Sequence, residues 1–277
     1  MSRTYPTDLH DAEWALLEPF FFPPGAHRKA GRAETPEKVR ATLNAIRYLL
    51  KTGCQWRMLP TEYPPRSTVH EAFTRWTARG LWPQINTALR ERDRVAVKKN
   101  AAPSAAIIDS QSVKCADTVG TGSSGYDAGK KIKGRKRHLL TDTRGDLLGI
   151  VVTPASVQDR DGAKVVCSIF APLLLSLALI FADGGSQGKL EAWVQQLGVL
   201  CGHPRGLALS IIKRSDQAQG FELLPRRWVI ERTFGWLMKA RRLVRDHERN
   251  ARHHEAYVYL AMIGLLTRRR TAPVKTL

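Results

Sequence analysis

Apolar residues recur at three- and four-residue steps through the first third of the chain, then switch to short continuous or alternating runs from residue 105 onward. The first pattern predicts helices. Thr7 or Asp8 caps one that carries Trp14, Leu16 and Leu17 and ends before Pro19. Thr35 caps a stronger one, with Pro36 in its first position, Val39, Leu43, Ile46, Leu49 and Leu50 on one face, and Gly53 as its stop. A third starts at Ser67, aligns Val69, Phe73 and Trp76, and stops at Gly80; a fourth covers 84–97. The middle pair could form a helix-turn-helix in which 67–79 presents Thr68, His70, Glu71 and Arg75 to DNA, although the connection over 53–66 is far longer than that motif uses. Periodicity then fades. The expected organisation is an all-α N-terminal domain over 1–92, a linker over 93–104 and a second domain over 105–277.

The second domain reads as alternating strands and helices. Residues 105–109 form an apolar run ending in Asp109. After a Gly/Ser loop over 120–129, runs at 138–141 and 147–152 flank a Gly-containing turn and predict a hairpin. A helix over 159–170, a buried strand over 177–182 ending at Asp183, a helix over 189–196 and a strand over 207–212 follow. A long helix over 226–245 carries Glu231 in its first turns, and an apolar helix over 254–266 comes last. This order predicts an α/β fold, a mixed five-stranded sheet with flanking helices, which is the order of a ribonuclease-H-like domain.

Charge narrows the function. Among 277 residues, 44 Lys and Arg face 25 Asp and Glu, a net charge of +19. Such an imbalance favours a polyanionic partner, and double-stranded DNA is the leading candidate because phosphate neutralisation releases counterions. No basic amphipathic helix speaks for a membrane surface, and the greasiest run, 171–182, is short and contains Pro172. The N-terminus lacks a signal-peptide core, so a cytoplasmic, nucleoid-associated protein is expected. Cys54, Cys115, Cys167 and Cys201 lie far apart, matching neither a disulfide framework nor a zinc site.

Asp109 and Asp183 stand directly after apolar runs, where a rigid sheet edge delivers side chains to a site. If their strands are parallel neighbours, the two carboxylates lie close and call for a cation between them. Hard oxygen ligands suit Mg2+ or Mn2+, and Glu231 would complete a site for two divalent metal ions. Other acids have simpler explanations: Asp142 and Asp146 bracket a turn, and Asp159 and Asp161 open a helix.

Three segments, Ile107 to Ser112, Phe181 to Gly185 and Arg227 to Leu237, resemble the three acid motifs of the DDE transposases, with insertion-sequence family five the nearest likeness. Segments 129–138 and 154–163, and the helical region with Trp14, Trp56 and Trp76, also resemble that family. The broader group's signature around the glutamate places Tyr and Lys where this chain has Leu224 and Met238, while Arg227 and Glu231 match. The resemblance implies binding to terminal inverted repeats, metal-assisted hydrolysis freeing a 3′-hydroxyl, and attack of that hydroxyl on target DNA. It implies Asp109, Asp183 and Glu231 as catalytic, metal-holding residues and a homodimer or larger assembly on DNA.

The cations expected to touch phosphate are Arg227, the run Lys130, Lys131, Lys133, Arg135, Lys136 and Arg137, and Lys239, Arg241, Arg242 and Arg75. Lys239, Arg241 or Arg242 would supply the charge missing at Met238. Trp228, Phe234 and Trp236 read as core residues, and Arg268 to Arg270 as a solubilising tail. Two alternatives stay open: a non-catalytic DNA-binding regulator derived from a transposase, and another nuclease of the same fold.

Overall fold

Ile107, Ile108 and Val113 make the strand β1 (Ala105–Lys114) the centre of the sheet. It runs antiparallel to β3 (Ile132–Asp142) on one side and parallel to β5 (Leu179–Asp183) on the other. Beyond β5 lies parallel β6 (Ala208–Ile212); beyond β3, β4 (Leu147–Pro154) pairs with most of that strand and the short β2 (Gly125–Asp127) with its start. The computed structural model describes residues 5–23, 34–183, 189–212 and 227–272. Among the described residues the sheet is thus mixed, as expected, but six-stranded. The extra strand comes from the Gly/Ser loop, whose Gly125 to Asp127 zips onto Ile132 to Gly134 without any apolar signal of its own.

Alternation along the strands divides two cores. Ala106, Ile108, Leu140 and Ile180 face α5 (Asp159–Phe170) and α6 (Lys189–Leu200). Ile107, Leu139 and Ile150 face the opposite layer, built from α7 (Arg227–Met238), the short α8 (Arg241–Val244) and α9 (Ala251–Thr271). The helices that precede the sheet, α1 (Asp11–Phe21), α2 (Pro36–Thr52), α3 (Arg66–Ala78) and α4 (Leu81–Ala96), join this second core. Phe73 of α3 stacks on Tyr257 of α9 with ring centroids 4.7 Å apart. The expected linker therefore begins only after Ala96, and it does not divide two cores: α4 packs along α9 and reaches the hairpin turn.

Local signals account for most boundaries. Thr35 accepts from the Lys38 N–H at 3.4 Å, and Gly53 ends α2 in the left-handed region at φ 70°. In α1 the expected stop at Pro19 fails. The helix starts from His10, which forms a capping box with Glu13, and continues to Phe21, held by that ring's contacts with Trp14 and Trp76. Asp8 accepts from the Tyr63 hydroxyl at 2.7 Å. The long helix expected over 226–245 breaks after Met238, and α8 turns inward so that Arg242 reaches Glu248 at 2.7 Å and the Cys54 carbonyl at 3.0 Å.

The hairpin carboxylates are more than turn formers. Asp142 pairs with Arg94, and Asp146 accepts from Arg269 at 2.7 Å and faces Arg144 at 3.4 Å, all within a buried network that includes Asp93. All four cysteines are free. Among the described residues, no helix is long and apolar enough to cross a membrane.

Candidate active site

Strand register brings the first two acids together. The parallel pairing of β1 with β5 ends at Ile107 opposite Phe181. Two residues further on each strand, and hence on the same face, come Asp109 and Asp183. Asp109 does not end its strand: β1 continues to Lys114 and keeps its antiparallel pairing, with Asp109 opposite Leu139. It marks the point where β1 loses its parallel partner, which opens a notch at the sheet edge. Asp109 and Asp183 line that notch with Ser110, His138 and Asp159.

Burial pushes the Asp109 carboxyl up to about 6; the Ser110 N–H, at 2.7 Å from Oδ1, opposes this, and the neighbouring Asp183 charge adds to it. The His138 imidazole is driven down to about 4 by burial, with its Nε2 2.9 Å from the Thr153 hydroxyl. Asp159, which the sequence explains as a helix opener, does begin α5 but also accepts from the Ser110 hydroxyl at 2.7 Å and pairs with Lys136 at 2.8 Å. Its carboxyl is held below the ordinary value, chiefly by the Lys136 and Ser110 hydrogen bonds overcoming burial. No sequence signal separates it from Asp161, which stays exposed.

Glu231 arrives on α7, packed across the same face through Ile230 and Phe234. It stands apart from the aspartates. The Arg227 guanidinium lies between, with Nη2 3.9 Å from Asp183 Oδ2 and Nε 3.4 Å from Glu231 Oε1. Among the described residues, no three His, Cys, Asp or Glu side chains converge closely enough to hold a metal ion. The two-aspartate notch nevertheless has the right chemistry for a hard cation: oxygen donors only, and a partly buried carboxyl driven toward its neutral form beside a second carboxylate.

The basic run divides in two. Lys130, Lys131 and Lys133 are exposed around the turn between β2 and β3. Arg135, Lys136 and Arg137 are buried, which corrects their expected role at phosphate. Arg135 pairs with Asp246 at 2.9 Å and donates to the Glu248 and Arg249 carbonyls; Lys136 joins Asp127 and Asp159; Arg137 donates to Gln111 and the Leu243 carbonyl. Their strand lies inside the sheet, so both faces are covered and each charge meets an internal acceptor. Arg242 is likewise buried, whereas Arg241 and Lys239 are exposed. Arg75, on α3, pairs with Glu34. Phe234 is core, but Trp228 is 38% exposed, and it and Trp236 hold the Arg232 guanidinium between them at 4.5 and 4.6 Å.

Comparison with known proteins agrees with this layout. Residues 100–266, which include all three acids, match the family profile described as "Transposase DDE domain". Residues 9–86 match the one described as "Putative transposase of IS4/5 family". Two proteins of Burkholderia cepacia are similar. One, "Insertion element IS402 uncharacterized 16.2 kDa protein", is 34% identical over 108 residues, 38% of this chain and 72% of the relative. The other, "Putative transposase for insertion sequence element IS402", is 30% identical over 134 residues, 46% of this chain and 60% of the relative. No solved structure matches. The chain belongs to the DDE transposase family of insertion sequences.

Proposed function

We propose that this chain is a DNA transposase that binds the terminal inverted repeats of its insertion sequence and carries out metal-dependent strand cleavage and strand transfer from a ribonuclease-H-like domain. The observation that supports it most is the strand register: Ile107 opposite Phe181 puts Asp109 and Asp183 side by side on the face that α7 crosses with Glu231. Asp109 and Asp183 would hold Mg2+ or Mn2+ in the notch, with Glu231 completing the ligand set. Bound there, two such ions would activate the attacking oxygen and stabilise the leaving oxygen of a phosphodiester.

The chain's own residues supply the rest. Arg227 lies one helical turn before Glu231 and within reach of Asp183, so it both orients the glutamate and offers a fork to a phosphate. Ser110 fixes Asp109 through its N–H and Asp159 through its hydroxyl, stiffening the strand at the notch. Lys130, Lys131 and Lys133 provide exposed positive charge for the DNA backbone, as do Lys239 and Arg241. The exposed residues of α3, including Thr68, His70 and Glu71, would meet the repeat, and a dimer or larger assembly would bring two ends together.

A non-catalytic DNA-binding protein is the second reading, favoured by the separation of Glu231 from the two aspartates. Incubating a labelled duplex that carries the element's own end with Mg2+, Mn2+ or EDTA decides between them. Metal-dependent nicking at the repeat boundary, lost in Asp183→Ala while binding persists, is the expected result. Binding without cleavage in either metal would overturn it in favour of the second reading.

A further inference from the structure

A cleft of about 370 Å³ lies away from the acid notch, where the C-terminal ends of α2 and α7 meet the last turns of α9. Its floor is apolar, with Leu237, Met262 and Leu265, and Trp236 forms one side. Four cations line it: Lys51, Lys239, Arg268 and Arg269. Among the described residues, no carboxylate does.

Arg269 is committed elsewhere, to Asp146 at 2.7 Å and Asp93 at 3.6 Å, and lies over the Trp236 ring at 5.1 Å. The nearby Arg47 pairs with Glu13. For Lys51, Lys239 and Arg268, no carboxylate partner occurs among the described residues; Arg268 donates to the Gly264 carbonyl on its own helix. Each of the three sits at a helix C-terminus, where positive charge is favourable by itself. That does not explain their convergence. Packing them together costs energy, as Lys51 records: its ammonium is pushed down to about 8, first by burial and then by the charges of Arg268, Arg47 and Lys239. A bound anion would relieve that repulsion.

A second, independent feature leads from this cleft to the acids. Glu231 and Gly235 follow one another along the exposed stripe of α7, and exposed Lys239 comes directly after its last residue, Met238. A side chain at Gly235 would meet nothing within 4 Å among the described residues, so packing does not require glycine there. Glycine weakens a helix interior, and one reason for it on an open face is close approach of a ligand to the backbone. At 1.5 Å per residue, Glu231 and the end of α7 at Met238 are about 10 Å apart along the axis, about three base-pair steps of a duplex, and Lys239 follows directly.

We propose that this cleft is a binding site for nucleic-acid phosphodiester groups, in which Lys51, Lys239 and Arg268 take phosphate oxygens beside Trp236 while the same strand passes over Gly235 to the acids. The proposal rests on the transposase reading in taking the strand to be the one whose cleaved phosphate lies at the notch.

The test measures the salt dependence of binding to a duplex of unrelated sequence, about 30 base pairs long, for the full chain. Lys239→Ala/Arg268→Ala should lower the slope of log K against log salt by about 2, close to one per phosphate contact. Lys98→Ala/Lys99→Ala, the same charge change in another cationic depression, should lower it less. Arg268→Lys in place of Arg268→Ala should restore about half the loss, which a folding defect would not allow. Equal slopes for the two double variants would reduce the effect to net charge and overturn the site. Weaker binding of inorganic phosphate with unchanged duplex binding would identify a small-anion site and also overturn it. Failure of the wild-type chain to bind any duplex would instead sink the transposase reading.

Discussion

Asp109→Asn should stabilise the metal-free protein, and only above a defined pH. The folded chain raises the Asp109 carboxyl from 3.8 to about 6, mainly by burial. An acid whose folded value is raised contributes nothing unfavourable below about 4, where both states hold the proton. Between about 4 and 6 the unfolded chain ionises while the folded one stays neutral, so stability falls as pH rises, and above 6 the full difference persists. Two pK units at about 1.4 kcal/mol each give a loss of about 3 kcal/mol at pH 8. Asparagine keeps the shape and still accepts from the Ser110 N–H, yet it carries no charge to desolvate. Urea unfolding of both proteins in EDTA should show the variant about 3 kcal/mol more stable at pH 8 and equal near pH 4, with a melting temperature raised by about 5–10 °C at the higher pH. Magnesium should narrow the gap by stabilising the wild type alone, since a ligand of the folded state at about a hundred times its dissociation constant adds about 2.7 kcal/mol. A variant no more stable than wild type at pH 8, or a gap that does not close on acidification, would refute the assignment of an electrostatically loaded notch.

Arg94→Ala leaves the buried Asp142 charge without its partner, and a loss of about 3–5 kcal/mol is expected in the same unfolding assay. Gly235→Ala, on the open side of α7, should raise stability by about 0.5–1 kcal/mol, readable as a higher urea midpoint at unchanged slope. His138, held down to about 4, should show imidazole NMR shifts of the neutral ring from pH 8 to below 5. Because the unfolded ring protonates near 6.5 while the folded one does not, this residue also makes stability fall as pH drops from about 6.5 to 4.

What could be read from the sequence follows from how local each determinant is. Thr35, Pro36 and Gly53 fix α2 by interactions within a few residues, and all three act as their positions imply. Asp183 after an apolar run was equally legible, because a strand's end is a local event. The expectation that Asp109 ends its strand fails: its apolar run is interrupted by polarity, whereas the strand is not, since the polar residues after it pair with β3. Pro19 fails to stop α1 because aromatic packing from α3 outweighs its cost, and that partner lies far along the chain. The burial of Arg135, Lys136 and Arg137, expected at phosphate, is not legible because their acceptors come from distant segments, among them Asp246 and Asp159. Asp159's contact with Ser110 was invisible for the same reason.

The joining of α1 and α9 into one core has a consequence for how the chain is made. Glu13 near the start accepts from Thr267 at 3.2 Å, and α4 lies along α9. Synthesis delivers α1 to α4 well before α9, and at about 5–20 residues per second the roughly 150 residues between them take about 8–30 s to appear. Throughout that interval Phe73, Trp82 and Leu89 lack the helix that will cover them. The chain's exposure to proteases and to aggregation is thus greatest during its own translation, and the growing chain completes this protective layer only when α9 leaves the ribosome.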